Sequence, residues 1–194
     1  MNFLAHIYLS GDDEEIMIGN FIGDFVKGQS WRAFDEQIQK GIRLHRAIDE
    51  YTDSHAIVIR SKEKLRPKYR HYSPVIVDVF YDHFLSKLWS HYHETPLLEF
   101  TKRFYRMTER YENLIPERAR HMLHVMKKDN WLYHYQYVKG IERTLNGMSR
   151  RTPYDSHMEM ASKNLEQDYE SFKEDFESFF PELINYSKAF LSEQ

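Results

Sequence analysis

His45 and Asp49 stand four residues apart within the stretch Gly41–His55. On a helix that spacing puts both side chains on one face, one turn apart, where they can reach the same ion. The stripe carrying them, Ile38, Ile42, His45, Asp49 and Thr52, starts apolar and turns polar midway. A carboxylate on an inward face costs several kcal/mol unless a partner or a metal compensates it. Two other stretches repeat the anomaly. In Pro74–Leu85, PVIVDVFYDHFL, the apolar and aromatic run is interrupted by Asp78, Asp82 and His83, and Asp78 and Asp82 are again four apart, in register with Val75, Leu85 and Trp89. In Ile16–Val26 the strongly polar members are Asn20 and Asp24.

Taken singly, each pair reads more readily as a hydrogen-bonded packing pair than as a ligand set. Together they are harder to explain, because Asp24, Asp49, Asp78 and Asp82 cannot converge in a core without countercharge. A divalent cation held by His45, Asp49, Asp78 and Asp82, with Asp24 as a further candidate, removes the difficulty. With no cysteine in the chain, the ligands must be nitrogen and oxygen, a mixture that suits Mn2+, Mg2+, Fe2+ or Zn2+. His6 and Asn20 are weaker candidates, His6 because it also reads as a core histidine in an apolar opening segment. Asp53 is weaker too, since Thr52-Asp53-Ser54 resembles a helix end with local backbone bonds. His55 is a weaker candidate as well, whereas His91, His93, His121, His124, His134 and His157 read as surface or packing residues.

These side chains need helices to position them, and the punctuation is helical. Asp12 or Asp13 caps a helix to about Val26, which Gly28 ends. Ser30 opens the long helix that carries His45. Ser73-Pro74, Thr95-Pro96 and Ile115-Pro116-Glu117 each begin another. Asp129 caps Trp131–Leu145, a helix runs over Met158–Phe179, and Pro181 starts the last. The expected fold is all-α, a single compact helical domain over 1–194 with no internal repeat or linker.

The chain has 194 residues, 41% hydrophobic, 15% aromatic and 29% charged, enough for one core. The opening residues do not read as a signal peptide, and no apolar run approaches the roughly 20 residues that span a bilayer. The expectation is a cytoplasmic protein without a membrane partner. A net charge of −3 argues against a generic nucleic-acid binder. The most basic segment is Arg60–Arg70, with Lys62, Lys64 and Lys68. It reads as a solvated charge run or, beside a hydrolytic site, as a surface that steers an acidic partner.

Several motifs carry a resemblance. They are Asn2-Phe3-Leu4-Ala5-His6, the run Gly19–Gly28, Gly41-Ile42-Arg43-Leu44-His45-Arg46 with Ile48-Asp49 and Thr52-Asp53, and Asp78 with Asp82-His83-Phe84-Leu85; Trp131, Leu145-Asn146-Gly147-Met148 and Arg151 match more loosely. The chain resembles the acyl carrier protein phosphodiesterases. That resemblance implies an HD-like phosphohydrolase architecture, a divalent ion with Mn2+ preferred, and removal of 4′-phosphopantetheine from holo acyl carrier protein to give the apo form.

On this reading the metal lowers the pKa of a bound water and neutralises phosphoryl oxygens. Asp24 is the candidate general base, His83 the general acid for the leaving serine, and Arg43 and Arg46 candidate phosphate contacts. The competing readings are an HD-like phosphohydrolase of a nucleotide or other small phosphodiester, and a noncatalytic helical binding module whose polar pairs only fix packing.

Overall fold

The computed structural model describes residues 1–193, and its regular elements are all helical. In chain order they are α1 (Phe3–Leu9), α2 (Glu14–Ile22), α3 (Glu36–Ser54), α4 (Ala56–Tyr69), α5 (Ser73–Lys87), α6 (Trp89–Tyr92), α7 (Leu97–Arg110), α8 (Glu117–Lys128), α9 (Trp131–His134), α10 (Val138–Ser149), α11 (Ala161–Gln167) and α12 (Tyr169–Ser192). Among the described residues no helix is long and apolar enough to cross a membrane.

α5 is the central post. Pro74 lies in its first turn, where a fixed φ helps and a missing N–H costs nothing. From Ile76 to Ser86 nearly every side chain is buried, and α1, α4, α10 and α12 pack around it. α12 contributes an aromatic face: Phe172 meets Phe80 and Phe176 meets Tyr81, with ring centroids 5.2 and 5.6 Å apart. Burying such side chains supplies roughly 1.5–3 kcal/mol each.

α2 and α3 cross closely because two glycines meet. A Cβ on Gly19 would stand 2.1 Å from the Ile38 carbonyl oxygen, and one on Gly41 would stand 2.2 Å from that of Ile16. Neither position admits any other residue without separating the helices. Gly23 is constrained in the same way, since a Cβ there would lie 2.3 Å from the His45 ring. The crossing brings Asn20 of α2 against His45 of α3. Asp13 caps α2 as expected, accepting from the Glu15 and Ile16 amides at 2.9 and 3.0 Å.

Several boundaries differ from expectation. α2 stops at Ile22 and a 3₁₀ turn over Gly23–Phe25 follows, short of Val26, and the stretch Met158–Phe179 is not one helix but a 3₁₀ turn, α11 and the start of α12, divided at Asp168. Ser30 opens only a 3₁₀ turn to Ala33, and α3 begins at Glu36 after Asp35. The stretch expected to form one helix from Trp131 to Leu145 breaks between α9 and α10. There Tyr137 is extended and the Tyr135 carbonyl is drawn off to His83 Nδ1 at 2.7 Å. Asn130, in the left-handed region at φ 42°, precedes Trp131 in place of an Asp129 cap. Pro181 does not begin a helix but sits inside α12. Phe176, Phe179, Phe180 and Leu183 are all buried around it, and that packing outweighs the lost backbone bond.

Candidate metal centre

His6 on α1 and His45 on α3 stack, with ring centroids 4.1 Å apart. Their tautomers follow from their partners. His45 Nδ1 lies 2.8 Å from the Asn20 carbonyl oxygen, which can only accept, so this nitrogen carries the hydrogen. The Asn20 side-chain amide donates to the His6 carbonyl and to Ser10 Oγ at 2.8 and 2.9 Å. Its oxygen therefore faces His6 Nδ1 at 2.8 Å, and this nitrogen too is the donor. Both Nε2 atoms are thus left to face oxygen. His6 Nε2 is 3.1 Å from Asp49 Oδ1 and 3.1 Å from the Met1 carbonyl oxygen. His45 Nε2 is 3.2 Å from Asp49 Oδ2 and 3.3 Å from Asp24 Oδ1.

A neutral imidazole would turn a lone pair toward those oxygens, so each ring needs either a second proton or a cation between. The electrostatics divide the pair. Burial and the neighbouring charge of His45 hold His6 down at about 4, so it stays neutral. Burial works against charging His45 as well, but the carboxylates of Asp24 and Asp49 outweigh it and raise its pKa to about 9. Asp49 is held far below the usual carboxylate range: burial opposes its charge, and the hydrogen bond from His45 together with the charge of the Met1 nitrogen overcomes burial. Hydrogen bonding to His45 likewise depresses Asp24.

Asp78 completes the acidic surround from α5. Its Oδ1 lies 3.1 Å from the Met1 nitrogen yet is buried without a well-aligned hydrogen bond, and burial raises its pKa. The Met1 nitrogen is also 3.4 Å from Asp49 Oδ1.

This donor set fits a divalent ion. His6, His45 and Asp49 each offer one ligand atom within 4.8 Å of the others, Asp24 and Asp78 border them, and both imidazoles have Nδ1–H fixed by a second partner, the usual arrangement behind metal-bound histidines. Asp24, Asp49 and Asp78 line one cavity of about 360 Å3, so the group is accessible.

Other expected site residues lie elsewhere. Asp82 does not join the metal group: its two oxygens accept from the Leu4 and Ala5 amides at 2.7 and 3.1 Å. It caps α1 from another helix, filling the role that Asn2 leaves open. Burial, opposed by those amides, raises its pKa to about 7. His83 departs from the general-acid expectation, because Nδ1 meets the Tyr135 carbonyl and Nε2 the Tyr169 hydroxyl at 3.0 Å, on a different cavity. Burial holds it at about 4.

Arg46 donates to the carbonyls of Val26 and Gly28 at 3.4 and 3.3 Å, and Arg43 lies over the Trp31 ring. Neither lines the acidic cavity. The basic run is largely engaged within the chain. Lys62 pairs with Asp53 at 2.6 Å, Lys64 with Asp175 at 2.8 Å and the Ser171 hydroxyl at 2.6 Å, and Lys68 with Asn164 at 3.2 Å. Asp53 itself sits at the cavity rim.

His6 deserved more weight than its apolar setting suggested. The available signal was Asn20, a polar residue in a buried helix that needed a partner. Arg151, on the cavity wall, had no periodicity to announce it.

Comparison with known proteins adds the remaining observation. The family model described as acyl carrier protein phosphodiesterase matches residues 1–183. A protein of that name from Photorhabdus laumondii subsp. laumondii is 32% identical over 185 residues, covering 95% of this chain and 93% of the relative. One from Enterobacter sp. strain 638 is 32% identical over 189 residues, covering 97% and 98%. One from Pectobacterium atrosepticum is 31% identical over 190 residues, covering 97% and 98%. No solved structure gives a significant match.

Proposed function

Because the chain belongs to the acyl carrier protein phosphodiesterase family, we propose that it hydrolyses the phosphodiester between 4′-phosphopantetheine and the serine of holo acyl carrier protein, leaving the apo protein. The observation that carries this reading is the pair of imidazoles with Nδ1–H fixed and Nε2 turned toward Asp49, beside a cavity lined by carboxylates. A divalent cation there, Mn2+ on our reading, supplies Lewis-acid stabilisation of the phosphoryl oxygens and a more acidic water.

The chain's own residues do the rest. His6, His45 and Asp49 would hold the ion, and Asp78 would add negative charge from α5. Asn20 fixes both rings, through its side chain on His6 and its carbonyl on His45. Asp24, more exposed than Asp49 or Asp78, takes the proton of the attacking water at a carboxylate oxygen. The leaving serine oxygen needs a proton, and His71 on the cavity wall is the imidazole assigned to deliver it in place of His83.

The test is incubation of the purified protein with holo acyl carrier protein and Mn2+, read by intact mass. The expected result is a carrier lighter by the 4′-phosphopantetheine arm. An unchanged carrier mass with Mn2+, Mg2+, Fe2+ and Zn2+ each supplied would overturn the assignment.

A further inference from the structure

The acidic cavity does not end at its carboxylates. A second cavity of about 700 Å3 adjoins it, and the two share Met122, Trp131 and Arg151 as wall residues. These three come from α8, α9 and the segment just beyond α10, so the junction is built where those elements meet. Its chemistry changes along its length. One part of its wall carries Asp24, Asp49 and Asp78, whereas another carries Met122, Trp131 and Met148, which are only half-buried. They present apolar surface to the opening rather than spending it wholly in the core.

Arg151 is exposed and is braced by its Nε on the Gly147 carbonyl at 3.0 Å. Among the described residues it has no carboxylate partner within salt-bridge distance. Its charge is therefore available to a ligand, unlike that of Lys62 or Lys64.

We infer that this continuous groove binds the pantetheine arm of the substrate, with Met122 and Trp131 against its branched apolar end and Arg151 donating to its phosphate or amide oxygens. The inference rests on the proposed function. Cavities of a few hundred Å3 hold small ligands, whereas a carrier-protein helix about 10–12 Å across does not fit such a space. The arm also has the right sequence of chemistry. Its phosphate belongs at the acidic, metal-holding end, its methyl-bearing carbon follows at once, and amides come next. A groove that carries carboxylates in one cavity and, where it joins the next, the apolar Met122 and Trp131 beside the cationic Arg151 matches that order.

Two measurements test this. The first is the ratio of kcat/KM for holo acyl carrier protein to that for bis(p-nitrophenyl) phosphate, which has no arm. The ratio should fall about tenfold or more in Trp131→Ala and in Arg151→Gln, chiefly through KM for the carrier, and Trp131→Phe should recover most of it. The second is calorimetric binding of 4′-phosphopantetheine to metal-loaded protein, which should weaken in the same variants and in the same order. Arg151→Gln alters an exposed side chain and keeps the test decisive if Trp131→Ala fails to fold. Unchanged ratios and unchanged binding in Arg151→Gln and in Trp131→Ala, or in Arg151→Gln and Met122→Ala where Trp131→Ala does not fold, would overturn the groove. If the wild type leaves holo carrier intact, the functional assignment fails instead, and calorimetry still decides whether the groove takes the arm.

Discussion

Asp175 on α12 and Asp49 on α3 both project from core-forming helices, and the molecule treats them in opposite ways. Asp175 receives Arg60 at one oxygen, and Lys64 and the Ser61 hydroxyl at the other, at 2.8 and 2.7 Å. Burial would raise its pKa, but those three partners hold it below the usual value. Two cations meet one acid and little hydrogen-bonding capacity is left over. Around Asp49 the balance is reversed. Asp24, Asp49 and Asp78 share two imidazoles, of which His6 is neutral, and the Met1 nitrogen. These carboxylates also line a cavity. The difference separates an acid that closes a packing contact from acids left facing an open cavity, as the proposed metal centre requires, and neither spacing nor burial alone reveals it.

The largest effect should come from removing a ligand. His45→Ala or Asp49→Ala should lower kcat/KM for holo acyl carrier protein by about 10³-fold or more, since several kcal/mol of charge stabilisation go with the ion. Steady-state kinetics on folded, Mn2+-supplemented variants check this, and a loss under tenfold would put Asp49 in the same class as Asp175.

Next comes Asn20→Ala, which frees His6 Nδ1 without removing any ligand atom. Metal affinity should drop about 10–100-fold, measured by competition with a chelator. An unchanged affinity would mean that Asn20 serves packing only.

On the other side of the comparison, Asp175→Ala should destabilise by about 1–3 kcal/mol, through the lost charge-assisted hydrogen bonds, with Tyr81 remaining as partner of the Ser61 hydroxyl, while metal content stays the same. Urea unfolding with metal analysis reads both quantities.

The smallest effect is a pH dependence of the metal-free protein. The folded pKa of His45, about 9, exceeds its ordinary 6.5. Its ion-pair stabilisation is therefore complete below 6.5 and disappears as pH rises through about 9. The gap in Tm between the wild type and His45→Gln should narrow across that window, in chelator only. A gap that widened would reverse the assigned charge state.

Much of the fold was readable because apolar periodicity and proline placement are local. The cap at Asp13, the placement of Pro74 in the first turn of α5, the α3 stripe and the all-helical class depend on residues within a turn or two of each other, although Ser73 lies inside the helix, its hydroxyl on the Arg70 carbonyl, rather than capping it. What was not readable depended on distant partners. Asp82 shares a face with Asp78, but only the arrival of α1 decides that its oxygens meet amides. His83 is adjacent in sequence and points to Tyr135 and Tyr169 instead. Pro181 continues its helix because of packing supplied by α5 and α3. The lysines of Arg60–Arg70 looked free until α3 brought Asp53 to Lys62, α12 brought Asp175 and Ser171 to Lys64, and α11 brought Asn164 to Lys68. His6, a weaker candidate in the sequence because it also read as a core histidine, gains weight once α2 sets Asn20 against it.

The claim at the centre of this account, that stacked His6 and His45 with Asp49 form a metal centre, is tested most directly by titrating Mn2+ into chelator-stripped protein at pH 8 in buffers of different ionisation enthalpy. The account predicts saturable binding by the wild type with release of a proton, because the ion displaces the one that His45 carries, and no such binding by a folded His6→Ala/His45→Ala variant. Equal binding by the two proteins, or none by the wild type, would contradict it.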